Sequence, residues 1–263
     1  MSGEKFLLIL EENKFKMEPF ITIVTVVYNG IATLEKTIQC VLNQNYTNIE
    51  YIIIDGGSTD GSVDIIKKYE SRLSEWKSEK DNGIYHAMNK GIQMASGEWI
   101  CFLNSGDVFV DSSTLIQVVE KIISSEETDI VYGNILVKKA DGEFKERIAK
   151  APCNIHRMYF CHQSAFVKTS LLRKYLFDEK HKLSADLKFF KQCYHDGHKF
   201  LPLSFPVVIY DTSGISNTNR EAGLRDNIAV IKEVDKGIKR YQFILRLYFV
   251  VYWRRLTGKS KQK

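Results

Sequence analysis

The sequence predicts an α/β chain with a mostly parallel sheet flanked by helices and a helical extension at its C-terminal end. Three observations lead there. Short apolar, β-branched runs alternate with stretches of helical periodicity. Those runs are continuous, the pattern of strands covered on both faces. Each ends in a cluster of Gly, Asn, Asp and Ser, where a chain leaving a parallel sheet turns toward its next helix.

The elements follow in order. Ile21 to Val27 reads as a buried strand, with Tyr28-Asn29-Gly30 as the turn after it. Leu34, Ile38, Val41 and Leu42 then recur at helical spacing. Tyr51 to Ile54 is a second buried strand, closed by Asp55-Gly56-Gly57-Ser58, and a helix follows through Val63, Ile66 and Lys67. Another helix runs from about Ile84 to Met94. Trp99 to Leu103 is a third strand, ending at Asn104-Ser105-Gly106-Asp107. After a helix from Leu115 to Ile123 the pattern changes. Ile130 to Val137 and Phe144 to Ile148 read as a hairpin around Ala140-Asp141-Gly142. Ser164 to Val167 is a short strand, Ala185 to Tyr194 a helix, Pro206 to Tyr210 a late strand, and Asn219 to Val234 a polar amphipathic helix.

Composition narrows the class. The apolar and charged fractions are those of a globular protein. The five cysteines show no CxxC spacing, so neither a disulfide framework nor a zinc site is expected. The apolar run Phe6 to Leu10 meets Glu11 and Glu12 at once, too short for a secretory signal. No stretch reaches the ~18 apolar residues of a membrane-spanning helix. The expected setting is the cytoplasm.

Chemistry-bearing residues gather where an open α/β sheet binds ligands, at the carboxyl ends of its strands. Tyr28 and Asn29, Asp55, and Asp107 all lie there. Four motifs stand in sequence: Val24-Thr25-Val26-Val27-Tyr28-Asn29-Gly30; Thr37-Ile38 through Gln44-Asn45-Tyr46; Asp55-Gly56-Gly57-Ser58-Thr59-Asp60-Gly61; and Gly97-Glu98-Trp99-Ile100 with Leu103-Asn104-Ser105-Gly106-Asp107. Together they closely resemble the family 2 glycosyltransferases, among them those of bacterial surface-polysaccharide synthesis. The likeness is specific over residues 20 to about 110 and weaker from 150 to 235. It is absent from the first 19 residues and the C-terminal tail.

The resemblance implies a GT-A fold. It also implies inverting transfer of a sugar from a nucleotide-diphosphate donor, a UDP-sugar, to an acceptor hydroxyl. Residues 20–110 become the donor-binding half and 111–235 the acceptor-binding half, with 1–19 an N-terminal extension and 236–263 a basic aromatic C-terminal helix. Val26, Tyr28, Asn29, Asp55, Asn104 and Ser105 are implied donor contacts. The segment Asp81-Asn82-Gly83 through Asn89-Lys90 resembles a donor-side element of a subgroup and adds Asp81, Asn89 and Lys90. Asp81 equally suits a helix cap. Ser184-Ala185-Asp186 resembles the acceptor-site motif and implies Asp186 as the base that takes the acceptor proton. Its alternative role is to complement a helix dipole. His162 and Gln163 fall beside the donor sugar and acceptor; hydrogen bonding in the core is the plainer role of such a His. Tyr210 to Ser216 reads as a flap over donor or as a plain loop.

Two departures from the family pattern carry weight. Gly56 stands where a second carboxylate often contacts uracil, and Asn104 and Gly106 stand where the Asp-x-Asp metal motif carries carboxylates. Only Asp107 remains to hold Mn2+ or Mg2+, with donor diphosphate and water completing the shell. A turn or helix-cap role is the alternative for Asp107. The missing carboxylates keep a catalytically silent nucleotide-sugar or glycan-binding module in play. A nucleotidyltransferase is disfavoured, because no Gly-rich basic loop follows the first strand.

From Arg240 to Lys263 there is no Asp or Glu. Aromatic and aliphatic residues alternate there with Arg246, Arg254 and Arg255, a composition suited to an anionic membrane surface. A helix packed on the domain, or a dimer contact, is the alternative. The membrane reading makes the acceptor a glycan linked to a polyprenyl diphosphate and places the chain on the inner face of the cytoplasmic membrane. Nucleic acid is not an expected partner, since no recognised module accompanies the basic tail.

Overall fold

The computed structural model describes residues 18–125, 127–139, 141–153, 159–214 and 219–257. Residues 1–17 of the N-terminal extension, Ala140 of the hairpin, Ile215 and Ser216 of the late loop, and the tail from Gly258 lie outside the described residues, as do the side chains of Arg254 and Arg255.

The first half alternates as expected. It runs β1 (Ile21–Val27), α1 (Leu34–Leu42), β2 (Ile49–Asp55), α2 (Ser62–Tyr69), β3 (Glu75–Ser78), α3 (Ile84–Met94) and β4 (Trp99–Phe102). Then come β5 (Val108–Phe109), α4 (Thr114–Ser124), β6 (Ile130–Lys138), β7 (Phe144–Arg147), β8 (Ala165–Lys168), α5 (Thr169–Tyr175), α6 (Ala185–His195), β9 (Phe200–Tyr210), α7 (Arg220–Val234) and α8 (Lys239–Leu256).

The strands form one sheet in the order β3-β2-β1-β4-β8-β6-β9-β5, and β7 pairs with β6. Strands β3, β2, β1 and β4 are mutually parallel. Their side chains split by the period of two. Ile21, Ile23, Tyr51, Ile53, Trp99 and Cys101 enter one core with Leu34 and Ile38 of α1. Val24, Val26, Ile52, Ile54, Ile100 and Phe102 enter a second core with Met88 and Ile92 of α3. A strand covered on both faces reads as an unbroken apolar run, which is why these strands were visible in the sequence.

Beyond β4 the sheet differs from the parallel expectation. Strand β8 runs antiparallel to both β4 and β6, and β5 runs antiparallel to β9. Strand β9 begins six residues before the predicted Pro206. Pro202 and Pro206 lie within it, and the pairing with β6 slips around them. A missing N–H is tolerated at such an irregularity, whereas sequence rules treat Pro as a strand breaker.

The last two helices form a separate small core. Phe243, Ile244, Leu247 and Val251 of α8 pack against Leu224, Ile228 and Ile231 of α7. Lys191 of α6 and Asp235 after α7, both fully buried, form an ion pair at 2.7 Å. Burial pushes the Lys191 ammonium below its ordinary range even beside this carboxylate. Removing one partner of such a pair typically costs ~3–5 kcal/mol, so the pair pins α7 to the domain. The opposite face of α8 exposes Tyr241, Leu245, Phe249, Tyr252, Trp253 and Leu256.

Candidate active site

Loops at the carboxyl ends of β1, β2 and β4 make the floor of the site. Asn29 follows β1 in the left-handed region at φ 49, a conformation Asn tolerates. It stitches the first loop to the second. Its N–H donates to Ser58 Oγ at 2.7 Å, and its Oδ1 accepts from the Thr59 N–H at 2.9 Å. Tyr28 beside it is 67% exposed, an aromatic face open at a strand end, while Val26 is buried beneath.

Asp55 closes β2 with no exposure. Its Oδ2 accepts from the N–H groups of Gly57 and Ser58, each at 3.0 Å, and from Ser78 Oγ at 2.6 Å. Its Oδ1 is buried without a partner. The next residue, Gly56, lacks the expected carboxylate, but one lies against it. A Cβ on Gly56 would sit 2.5 Å from Asp81 Oδ2. The other oxygen of Asp81 accepts from the Gly83 N–H at 2.8 Å, at the start of α3. Asp81 thus closes the turn before α3 with one oxygen and faces Gly56 with the other.

Two residues of the same segment also make contacts within the protein. Asn89 donates to the Phe177 carbonyl at 2.9 Å and to Glu179 at 3.1 Å, and accepts from the Phe177 N–H at 2.9 Å. It is a clamp between α3 and the loop before α6. The Lys90 ammonium is buried and lies 2.8 Å from a carboxylate oxygen of Glu79 without a well-formed hydrogen bond.

The loop after β4 carries Asn104, Ser105, Gly106 and Asp107. Ser105 Oγ lies 3.1 Å from Thr33 Oγ1. Asn104 Oδ1 is buried without a partner, and its amide nitrogen lies 3.4 Å from His162 Nε2. Asp107 is 3% exposed. Burial drives its carboxyl up to about 7, with the neighbouring Asp211 charge adding to the rise against hydrogen bonds from the Asp211 N–H and Gln163. It does not cap α4; Asp111 takes that turn, accepting from the Ser113 N–H at 2.8 Å. A buried carboxylate and a partnerless amide oxygen, three residues apart in one loop, are both oxygen donors. Such a pair fits a hard divalent cation, and Asp107 and Asn104 are the residues that would hold one.

Asp186 lies in the first turn of α6 and is buried. Its Oδ1 accepts from Tyr85 Oη at 2.8 Å and from the Leu187 N–H at 2.8 Å, and its Oδ2 lies 2.9 Å from His162 Nδ1. A carboxylate only accepts, so Nδ1 carries the proton of that bond, and Nε2 faces the Asn104 amide. Burial alone would raise the Asp186 carboxyl, but hydrogen bonds from His162, Tyr85 and Leu187 outweigh it and hold it below the ordinary carboxylate range. The dipeptide His162-Gln163 therefore joins the β4 loop to Asp186. His162 touches Asn104 and Asp186, and Gln163 touches Asp107.

Sequence reasoning missed Tyr85 and Asp211. Tyr85 was hidden in the apolar start of α3. Asp211 was read only as part of a loop, yet its N–H donates to Asp107 Oδ1 at 2.8 Å. The structure also groups Asp178, His181 and Glu233 at metal-ligand spacing. Lys188 lies 2.6 Å from both carboxylates, and His181 is 2.7 Å from Asp226. An ammonium already occupies the place a cation would take, so this cluster ties α7 to α6.

The profile described as glycosyl transferase family 2 matches residues 22–192. A PGL/p-HBAD biosynthesis glycosyltransferase of Mycobacterium tuberculosis is 26% identical over 259 residues, covering 90% of this chain and 98% of that protein. Glycosyltransferase GlyG of Streptococcus pneumoniae is 31% identical over 132 residues, 49% of this chain and 43% of that one. Among solved structures, S. aureus TarS 1–349 in complex with UDP superposes with a TM-score of 0.65 at 17% identity, over 92% of this chain and 75% of that chain. Mannosyltransferase PcManGT from Pyrobaculum calidifontis, in complex with GDP-Man and Mn2+, superposes with a TM-score of 0.66 at 16% identity, over 93% and 76%.

Proposed function

Because the chain belongs to glycosyl transferase family 2 and is a glycosyltransferase, we propose that it moves a sugar from a UDP-sugar to an acceptor hydroxyl with inversion. Its fold is the GT-A fold. The observation that carries the reading is the hydrogen-bonded line Asn104–His162–Asp186–Tyr85, which joins the donor-side loop to a single buried carboxylate.

Tyr28 offers its exposed ring to the base. The partnerless Asp55 Oδ1 and the Asp81 carboxylate accept from the base and ribose. A divalent cation held at Asp107 and Asn104 would neutralise the charge that builds on the departing diphosphate. The acceptor oxygen attacks the anomeric carbon on the face opposite the diphosphate. As that C–O bond forms, the sugar–phosphate C–O bond breaks and the acceptor proton passes to Asp186. Inversion needs one base and no protein nucleophile. His162 and Tyr85 hold Asp186 in its anionic form and fix its orientation.

Asp186→Asn should reduce transfer by about 10²–10⁴-fold while leaving UDP binding unchanged. UDP release from a panel of UDP-sugars with Mn2+ and a polyprenyl-diphosphate-linked glycan reads the first, and calorimetry the second. Undiminished transfer by this variant, or turnover of a GDP-sugar alone, would overturn the assignment.

The acceptor reading rests on α8. Tyr241, Leu245, Phe249, Tyr252 and Leu256 recur along one exposed face with Arg246 exposed among them, and residues 240–263 hold no acid. Among the described residues no helix is long and apolar enough to cross a membrane. Such a face suits anionic lipid, and a lipid-linked glycan of bacterial surface-polysaccharide synthesis is the acceptor it would bring within reach. Deleting α8 would strip the α7 core, so the test is substitution of the outer face. Leu245→Glu with Phe249→Glu should abolish co-sedimentation with phosphatidylglycerol vesicles and spare UDP binding. Unchanged sedimentation refutes the lipid surface.

A further inference from the structure

We propose that Asp211 is the second protein carboxylate of the cation site, delivered through space to the position where Gly106 lacks one; this rests on the cation reading above. Strand pairing puts it there. In the antiparallel register Val108 lies opposite Ile209 and Phe109 opposite Val208. Carried two residues further toward the loops, the same register sets Gly106 opposite Asp211. The contacts agree. Asp211 donates its N–H to Asp107 Oδ1 at 2.8 Å. A Cβ on Gly106 would lie 2.5 Å from Asp211 Oδ2 and 3.1 Å from its Cβ and Cγ. Gly106, at φ +104, supplies both the bend and the room that let this carboxylate lie beside Asp107.

The carboxylate is held from behind. Ser213 donates its N–H to Asp211 Oδ1 at 2.9 Å and its hydroxyl to Oδ2 at 2.6 Å. Each oxygen keeps accepting capacity for a ligand. Asn104 Oδ1, in the same loop, is buried and has no donor, a costly arrangement that a cation or any other donor reaching it would relieve. Two adjacent carboxylates, one almost fully buried, repel each other, and a neutral ligand does not relieve that. An oxygen-only set of two carboxylates and one amide, with diphosphate oxygens to complete it, matches Mg2+ or Mn2+.

Mn2+ titrations of the full chain, followed by the electron paramagnetic resonance of the free ion with and without UDP, test the assignment. Asp211→Asn preserves the N–H to Asp107. It is expected to weaken Mn2+ binding about tenfold or more, because charge count sets affinity at such sites. UDP binding in EDTA should not change. Equal Mn2+ affinity in Asp211→Asn and wild type, with Asp107→Asn having lost it, overturns the proposal and leaves a one-carboxylate site. A wild-type protein that takes up no Mn2+ even with UDP defeats the cation reading itself, and this assignment with it. If Asp211→Asn loses UDP binding in EDTA and so has not folded, Ser213→Ala serves instead. It frees the carboxylate without removing charge and should weaken Mn2+ binding by a smaller factor; no change there overturns the proposal.

Discussion

Gly56 and Gly106 are two versions of one arrangement. Each stands in a loop just past a parallel strand, next to a buried Asp, and a Cβ on each would lie 2.5 Å from a carboxylate oxygen from elsewhere in the chain. The surroundings differ. Asp55 has three donors on one oxygen and a free acceptor on the other, a setting for reading N–H or O–H groups of a neutral base and ribose. Asp107 has Asp211 pressed beside it and an orphaned amide oxygen nearby, a setting for positive charge. The difference teaches that losing a carboxylate from a strand-end motif need not lose its chemistry. Another segment can deliver the group, and the local hydrogen bonding decides what that group serves.

Among the described residues, His162 hydrogen-bonds to Asn104 of the Gly106 loop and to Asp186 but not to the Gly56 loop, so it separates the two arms. His162→Gln should lower transfer about 10–100-fold, the usual cost of losing an orienting partner, and leave UDP binding in EDTA unchanged. The pH dependence has a definite sign. The folded-state pKa of Asp186 is depressed, so its stabilising contribution is present above the unfolded value and lost as pH falls through the lower folded one. Without His162, burial dominates and the carboxyl rises. The acid limb of kcat/KM should therefore move to higher pH in the variant. An unmoved limb would mean that Asp186 is not the titrating base.

The donor half was legible because its chemistry is local. Strands β1, β2 and β4 are mostly apolar runs, and Asn29, Asp55 and Asp107 sit at or just past their ends within contiguous motifs. The rest depends on pairings that sequence does not display. Strand β5 has two residues, too few for any period, yet it alone sets Asp211 opposite Gly106. Tyr85 belongs to an apolar helix face, and only the fold brings its hydroxyl to a carboxylate 101 residues away. Asn89 and Lys90 show the same dependence on the fold. Their motif placed them near the donor, while Phe177, Glu179 and Glu79, which engage them, are invisible until the chain is folded.

The two glycines themselves provide the most direct test of the comparison. Gly106→Ala must hold an L-residue at φ +104 and displace Asp211 along its whole side chain. Left-handed strain and overpacking together should cost about 2 kcal/mol in urea unfolding, with Mn2+ binding lost. Gly56 has no positive φ, and only the tip of Asp81 must move. Gly56→Ala should therefore cost under ~1 kcal/mol, the range of a substitution that disturbs one flexible neighbour. Its signature should be UDP affinity in EDTA, weakened about three- to tenfold as one charge-assisted hydrogen bond is misplaced, with Mn2+ binding intact. The comparison breaks if the effects exchange places, because Asp81 would then act on the cation and Asp211 on the base. It also breaks if Gly56→Ala leaves UDP binding untouched, because the close approach of Asp81 would then serve the turn before α3 and nothing more.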